Sequence, residues 1–198
     1  MNLFDLSGRV AVVTGANTGI GQGIVVALAQ AGADIAAVGR TPAEETAAKV
    51  RALGRKCELV GADLSTIEPV QAVVEQVVSA LGGLDVLVNN AGIAGATAPV
   101  ADYPMDTWNA VVGINLTGTF MVTQRAIPLL KASGAGSILV MSSLAGRFGY
   151  ANRVAYSTTK WGLVGFTKTL SLELGPLGIT AKQHSPRRRG RAAHLIGF

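Results

Sequence analysis

Short apolar runs alternate with longer amphipathic stretches along most of the chain. Val10-Ala11-Val12-Val13 is too short for a helix and is bounded by polar residues, so it reads as a buried strand. The same pattern returns at residues 34–39, 56–60, 84–88 and 137–141. Helical patterns lie between these runs. The first starts at Gln22 and reaches Gln30. Residues 42–53 open on Pro42 and stop at Gly54, the usual asymmetry of helix ends. Ser65 or Thr66 can cap a third helix, in which Val70, Val73, Val74, Val77 and Val78 make an apolar stripe. Two long helical patterns cover residues 105–131 and 152–174. The first of them carries Asn115-Leu116-Thr117-Gly118, poor helix chemistry that predicts a local kink or a structural water site. Strand and helix alternating in this way predict a doubly wound α/β fold, a parallel sheet with helices on both faces.

A length of 198 residues suits one domain with a sizeable core. No apolar run reaches the roughly 18 residues that cross a bilayer. The first residues lack the basic and apolar regions of a secretory leader. A cytoplasmic protein with no membrane partner is therefore expected. The single cysteine, Cys57, excludes an internal disulfide framework and fits a reducing compartment. Its place at the start of a strand pattern predicts a buried thiol. Cys57, His184 and His194 form no metal-ligand spacing, so no metal is expected. The net charge of +5 is local: five of the 17 Lys and Arg residues, and none of the 12 Asp and Glu residues, follow Ala181. Lys182-Gln183-His184-Ser185-Pro186-Arg187 shows no strand pattern. The chain thus divides into one domain over residues 1–181 and a basic, irregular tail over residues 182–198.

Three stretches suggest chemistry. Thr14-Gly15-Ala16-Asn17-Thr18-Gly19-Ile20-Gly21 links the first strand to the first helix. A glycine-rich turn there lets the backbone approach a phosphate and aims helix N–H groups at it. The second strand ends in Gly39-Arg40-Thr41, without the acid that would accept the adenosine ribose hydroxyls of NAD. Arg40 could meet the 2′-phosphate of NADP, so NADP(H) is favoured and NAD(H) is possible. Tyr156-Ser157-Thr158-Thr159-Lys160 lies in the last long helix, where residues four apart share a face. An isolated phenol titrates near 10, and a fixed ammonium nearby favours its phenolate. Such a pair can move a proton to or from a substrate hydroxyl.

Taken in order, these motifs resemble the short-chain dehydrogenase/reductase family, of the single-domain kind, over residues 5–181. The glycine-rich turn is similar to the family's TGxxxGxG cofactor loop. Asp63-Leu64 matches the positions that contact the adenine ring. Asn89-Asn90-Ala91-Gly92 matches the NNAG motif, which supports the central strand and lines the cofactor site. Asn115, Ser143, Tyr156 and Lys160 fall where the family's catalytic tetrad falls. The resemblance implies a Rossmann-like fold and hydride transfer between a nicotinamide cofactor and a small alcohol or carbonyl substrate. It gives Tyr156 the proton, Ser143 the substrate oxygen, Lys160 the nicotinamide ribose and the tuning of Tyr156, and Asn115 a water linked to Lys160. It also implies a homodimer or homotetramer in which the two long helices pack against their copies.

The resemblance stops at Ala181. The family continues a sixth strand there, followed by a substrate loop, a helix and a seventh strand. One extra base at the Ala181/Lys182 junction permits the degenerate code to restore the family pattern. A frameshifted, truncated dehydrogenase lacking its last strands, exposing the edge of strand 137–141, is the resulting expectation. Two other readings stand beside it: a non-catalytic nucleotide-binding protein, and a basic-tail binder of nucleic acid or anionic surfaces through Arg187-Arg188-Arg189. The tail is short and lacks interleaved aromatics, so base readout of nucleic acid is not expected.

Overall fold

The structure, a computed structural model, describes residues 4–186. Every apolar run becomes a strand: β1 (Val10–Thr14), β2 (Asp34–Gly39), β3 (Cys57–Gly61), β4 (Val86–Asn89) and β5 (Ser137–Met141). The helices are α1 (Gly19–Gln30), α2 (Glu44–Ala52), α3 (Ile67–Leu81), α4 (Met105–Val112), α5 (Thr119–Ala132) and α6 (Val154–Leu174). The helix predicted over residues 105–131 is interrupted by a π-helical turn, Gly113–Gly118, at the expected irregular stretch. The last helix starts two residues later than expected because Asn152 adopts a left-handed conformation, φ +61°. Asn tolerates that region better than most residues and cannot propagate a right-handed helix from it.

All strands are parallel, in the order β3-β2-β1-β4-β5-β6. Odd and even strand residues serve different layers. Val10, Val12, Ala36, Leu87, Ile138 and Val140 pack with the helical residues Val73, Val77, Val122, Leu130 and Leu163. Ala11, Val13, Ile35, Ala37 and Val88 pack with Val25, Ala29, Ala47 and Val50 on the other face. Burial on both sides explains why these strands are continuously apolar. The order reverses between β1 and β4, and the loops leaving their carboxyl ends flank the crevice where doubly wound sheets bind ligands. No described helix is long and apolar enough to cross a membrane. Cys57 is buried, and burial pushes its thiol up to about 11.

The structure corrects the expectation for the residues after Ile179. Residues Thr180–His184 form a sixth strand, β6, paired in parallel with β5. The boundary drawn at Ala181 and the bare edge on β5 are therefore wrong. Thr180 N–H donates to the Gly136 carbonyl and Ser142 N–H to the His184 carbonyl, so the ladder extends beyond both ends of β5. The backbone makes this ladder whatever the side chains are. Among the described residues β6 is an edge strand, and its inward residue Ala181 packs in the core with Ile179 and Leu174. Lys182 and His184 point to solvent. One small apolar residue therefore suffices, and the run leaves no hydrophobic signature. Arg187-Arg188-Arg189 and the rest of the tail lie outside the described residues.

The ladder register makes a sharp prediction. Thr180, Lys182 and His184 direct their N–H groups toward β5, and Gln183 directs its own away. Lys182→Pro should destabilise the fold by about 3 kcal/mol or more, and Gln183→Pro should cost markedly less. Urea unfolding of both variants against wild type measures the difference. Equal losses would refute the strand register.

Candidate functional site

Two chain turns meet at the crevice. The first carries Gly15 and Gly19, both at positive φ (+66° and +58°), where glycine alone is unstrained. A Cβ on Gly15 would lie 2.9 Å from Ala91 Cα, and one on Gly21 would collide with the Gly15 carbonyl and with Asn90. The glycines thus let the helix, its own entry turn and the β4 turn pack backbone to backbone. Gly19 differs: a Cβ there would meet nothing. It opens α1, whose N-cap Thr18 makes no side-chain cap and whose first turn carries no acid. Ile20 beside it is exposed. The helix start therefore presents N–H groups to open space, the cradle a dinucleotide's phosphates need. The residues present fit such a group.

The second turn is held to the first by Asn90. Its Nδ2 donates to the Thr14 and Gly15 carbonyls, both at 3.0 Å. Thr14 Oγ1 accepts from the Asn90 and Ala91 amides, also at 3.0 Å. Asn17 reaches sideways and donates to the carbonyl and hydroxyl of Thr41. A Cβ on Gly39 would strike Asn17, so that glycine is needed to admit the amide. Arg40, next in line, is exposed at the end of β2. Asp63 accepts from the Ser65 hydroxyl at 2.7 Å and the Ser65 amide at 2.9 Å. These bonds hold its carboxyl below the usual range, and the nearby Arg40 charge adds to the effect. Asp63 therefore shapes the turn into α3. The cap expected from Ser65 or Thr66 on that helix is not made: Thr66 has no side-chain cap bond, and the Ser65 hydroxyl turns to Asp63. Leu64 is buried and its carbonyl lies against Gly118, in the π turn.

Asn115 and Lys160 lie beside Gly92, and the Tyr156 ring lies beside Lys160. A Cβ on Gly92 would come within 3.1 Å of Asn115 Oδ1 and 3.6 Å of Lys160 Nζ. Lys160 is 5% exposed. Its Nζ donates to the Met141 carbonyl at 2.8 Å and stands 5.6 Å from the centre of the Tyr156 ring. Burial lowers its pKa to about 8. Ser143 Oγ accepts from the Ala145 amide at 3.2 Å, and Ser157 Oγ donates to the Ala145 carbonyl at 2.8 Å. These two bonds tie the serine turn to α6 next to Tyr156. Asn115 differs from expectation. Its Oδ1 accepts from Ile93 N at 2.8 Å, and its Nδ2 donates to Ile93 O at 2.9 Å and to Thr159 Oγ1 at 3.2 Å. Both amide hydrogens are taken by the chain, so this side chain acts as a clip between the β4 turn and α6.

Sequence reading missed Thr14, Ser142 and Thr159. Ser142 Oγ donates to the Lys160 carbonyl at 2.9 Å, and Thr159 Oγ1 to the Tyr156 carbonyl at 2.9 Å. All three sit beside a residue that was singled out, but hydroxyls that brace backbone have no spacing signature.

Comparison with known proteins agrees with this fold. A family model described as short chain dehydrogenase matches residues 9–187. The chain is 38% identical over 183 residues to D-beta-hydroxybutyrate dehydrogenase of Cupriavidus necator, covering 91% of this chain and 70% of that one. It is 36% identical over 187 residues to 2-dehydro-3-deoxy-L-rhamnonate dehydrogenase (NAD(+)) of a Sphingomonas species, covering 91% and 72%. Carveol dehydrogenase from Mycobacterium avium in complex with NAD superposes with a TM-score of 0.88 at 32% identity, covering 91% and 71%.

The buried Lys160 makes stability depend on pH. Its folded pKa lies below the ordinary lysine value of 10.5, so the folded state binds fewer protons than the unfolded state between about 8 and 10.5. Stability contributed at this site therefore rises with pH through that window. For the cofactor-free protein, Lys160→Met should be the more stable variant at pH 7 by roughly 3 kcal/mol, and the gap should close by about pH 10.5. Denaturant unfolding across that pH range checks it. A gap constant with pH would show that the lysine is not desolvated.

Proposed function

The chain belongs to the short-chain dehydrogenase family and is an NAD(P)-dependent oxidoreductase of small alcohol and carbonyl substrates, and we propose that Tyr156 carries the proton in its reaction. The observation that carries this reading is the Lys160 ammonium, anchored on Met141 and 5.6 Å from the Tyr156 ring centre. When bound, the nicotinamide supplies or accepts the hydride at the substrate carbon. In reduction, Tyr156 gives its proton to the carbonyl oxygen as that oxygen becomes an alcohol; in oxidation it takes the proton back. Ser143 accepts the Ala145 amide, which leaves its O–H free to donate to the substrate oxygen and stabilise developing charge. Lys160 has two further N–H groups beyond the one on Met141, suited to the hydroxyls of the nicotinamide ribose. Its charge favours negative charge developing on the phenolic oxygen. Gly15, Asn17, Thr18, Gly19, Ile20 and Gly21 form the pyrophosphate side of the site. Asn90, Ala91 and Gly92 form its nicotinamide side, and Asp63 and Leu64 its adenine side.

Tyr156→Phe should reduce turnover by about a thousandfold or more while leaving cofactor affinity near wild type. Steady-state kinetics and cofactor fluorescence titration measure the two. A variant that keeps most of its turnover would place the proton transfer elsewhere.

The same reading extends to the cofactor's 2′ position. Arg40 is exposed at the end of β2, beside the Thr41 that Asn17 holds in place. Its guanidinium is matched to a phosphate, and the chain has no acid at residue 40 for a ribose diol. NADP(H) is therefore the preferred cofactor in this proposal, with NAD(H) also accepted. The relatives named with NAD describe their own cofactor. Arg40→Asp should shift the ratio of kcat/KM for NADPH over NADH toward NADH by about 100-fold. A wild-type ratio at or below one would remove the preference.

Assembly belongs to the reading too. Phe120 and Phe166 meet edge to face at 6.4 Å on α5 and α6, and Trp161 is half exposed nearby in α6. These helices are the faces proposed to join in a homodimer or homotetramer. A cytoplasmic location remains part of the proposal.

A further inference from the structure

The β4 turn is fastened at both ends to one stripe of the α4–α5 helical run. Asn89, at the end of β4, donates from Nδ2 to Thr123 Oγ1 at 2.9 Å. Thr123 Oγ1 donates to the Thr119 carbonyl at 2.7 Å, and Thr119 Oγ1 donates to the Asn115 carbonyl at 2.9 Å. Asn115 then clips Ile93 through both its backbone groups. Asn89, Asn115, Thr119 and Thr123 are all buried, at 6% exposure or less. The spans agree. Asn115 and Thr123 lie two helical turns apart, about 12 Å at 1.5 Å per residue. Extended chain from Asn89 to Ile93 covers about 13 Å. The turn and the helix therefore run side by side in opposite directions, pinned at each end.

A threonine that bonds back to the carbonyl four residues earlier usually bends its helix at slight cost. Two such bonds in series, entering a π turn, are an uncommon arrangement; π turns themselves concentrate at functional sites. Neither threonine reaches the crevice through any described contact. Asn89 Oδ1 has no partner among the described residues, so Thr123 is its amide's one described tether. Between the two pins, Asn90 and Ala91 bond Thr14 and Gly15. Any shift of the pinned ends is thus passed to the glycine-rich turn and to Gly92 beside Lys160.

We propose that Thr119 and Thr123 are positioning residues, which act through Asn115 and Asn89 to set the height of the Asn89–Ile93 turn against the cofactor crevice. The proposal rests on that turn forming the nicotinamide side of the site. Without both hydroxyls the turn loses its registration to the helix while the apolar core stays intact, because valine fills the volume of threonine.

The test uses Thr119→Val, Thr123→Val and the corresponding Ser variants of the full chain. Amide hydrogen exchange read by mass spectrometry needs neither cofactor nor substrate. Each Val variant should speed exchange in peptides covering residues 89–93 by about tenfold or more beyond any change in the rest of the chain, whatever the shift of the unfolding midpoint. Each Ser variant, which keeps the hydroxyl, should restore protection. In the loaded enzyme kcat should fall by about tenfold with KM for the alcohol little changed, and Ser should restore it. Unchanged exchange in both Val variants overturns the proposal. Faster exchange spread over the whole chain, or not rescued by Ser, also overturns it, because that is general destabilisation. A Tyr156→Phe enzyme that still turns over would refute the catalytic reading alone and leave the exchange result to judge the threonines.

Discussion

Backbone contact between the turns after β1 and β4 sets the geometry of the whole site. Gly15 lies against Ala91 Cα, and Gly21 lies against the Gly15 carbonyl. Asn90 fills the remaining gap and bonds both carbonyls of the first turn. Because the parallel strands put both turns at the same end of the sheet, the proposed phosphate cradle and the proposed catalytic groups share one floor. A methyl group at either glycine would push backbone, which cannot rotate away as a side chain does. The constraint also explains why Thr14 is buried: its hydroxyl satisfies two amides of the half-buried second turn.

The legible parts of this molecule were those whose physics leaves a residue pattern. Five strands were readable because both of their faces are buried, which demands continuous apolar runs. The glycine-rich turn was readable because positive φ and close approach exclude other residues. The four residues proposed as catalytic were singled out by their order along the chain. β6 was not, because an edge strand needs backbone bonds more than apolar side chains, and Thr-Ala-Lys-Gln-His offers only Ala181 to the core. The π turn was visible as poor helix chemistry at Asn115, but its partner could not be found, since Ile93 is engaged through backbone atoms. The bracing hydroxyls of Ser142, Thr119, Thr123 and Thr159 were hidden for the same reason: they serve carbonyls, and every residue has one.

Buried polar groups divide into two kinds here. The hydroxyls and amides on α5 and α6 are matched to backbone partners and fix where elements sit. Lys160 is different. A buried ammonium with a single described carbonyl for a partner is poorly compensated, and its lowered pKa of about 8 measures that deficit. A group so placed lowers the stability of the cofactor-free fold at neutral pH. Its retention makes sense if its remaining N–H groups meet acceptors only when the site is filled, so that cofactor binding relieves the deficit.

That deficit constrains the scaffold around it. A lysine this buried favours any motion that lets water in. Hydrogen bonds brace α6 against the turns around it. Asn115 joins the β4 turn to α6 through Thr159, Ser142 holds the Lys160 carbonyl, and Ser157 holds the serine turn against the helix. Each is a neutral hydrogen bond worth about 1 kcal/mol net, so no single one outweighs the desolvated charge. Together they make water entry require several ruptures at once. The uncompensated cation and the dense bracing around it are thus two sides of one design: the charge can be held ready beside Tyr156 only because its surroundings are too well pinned to let it be solvated.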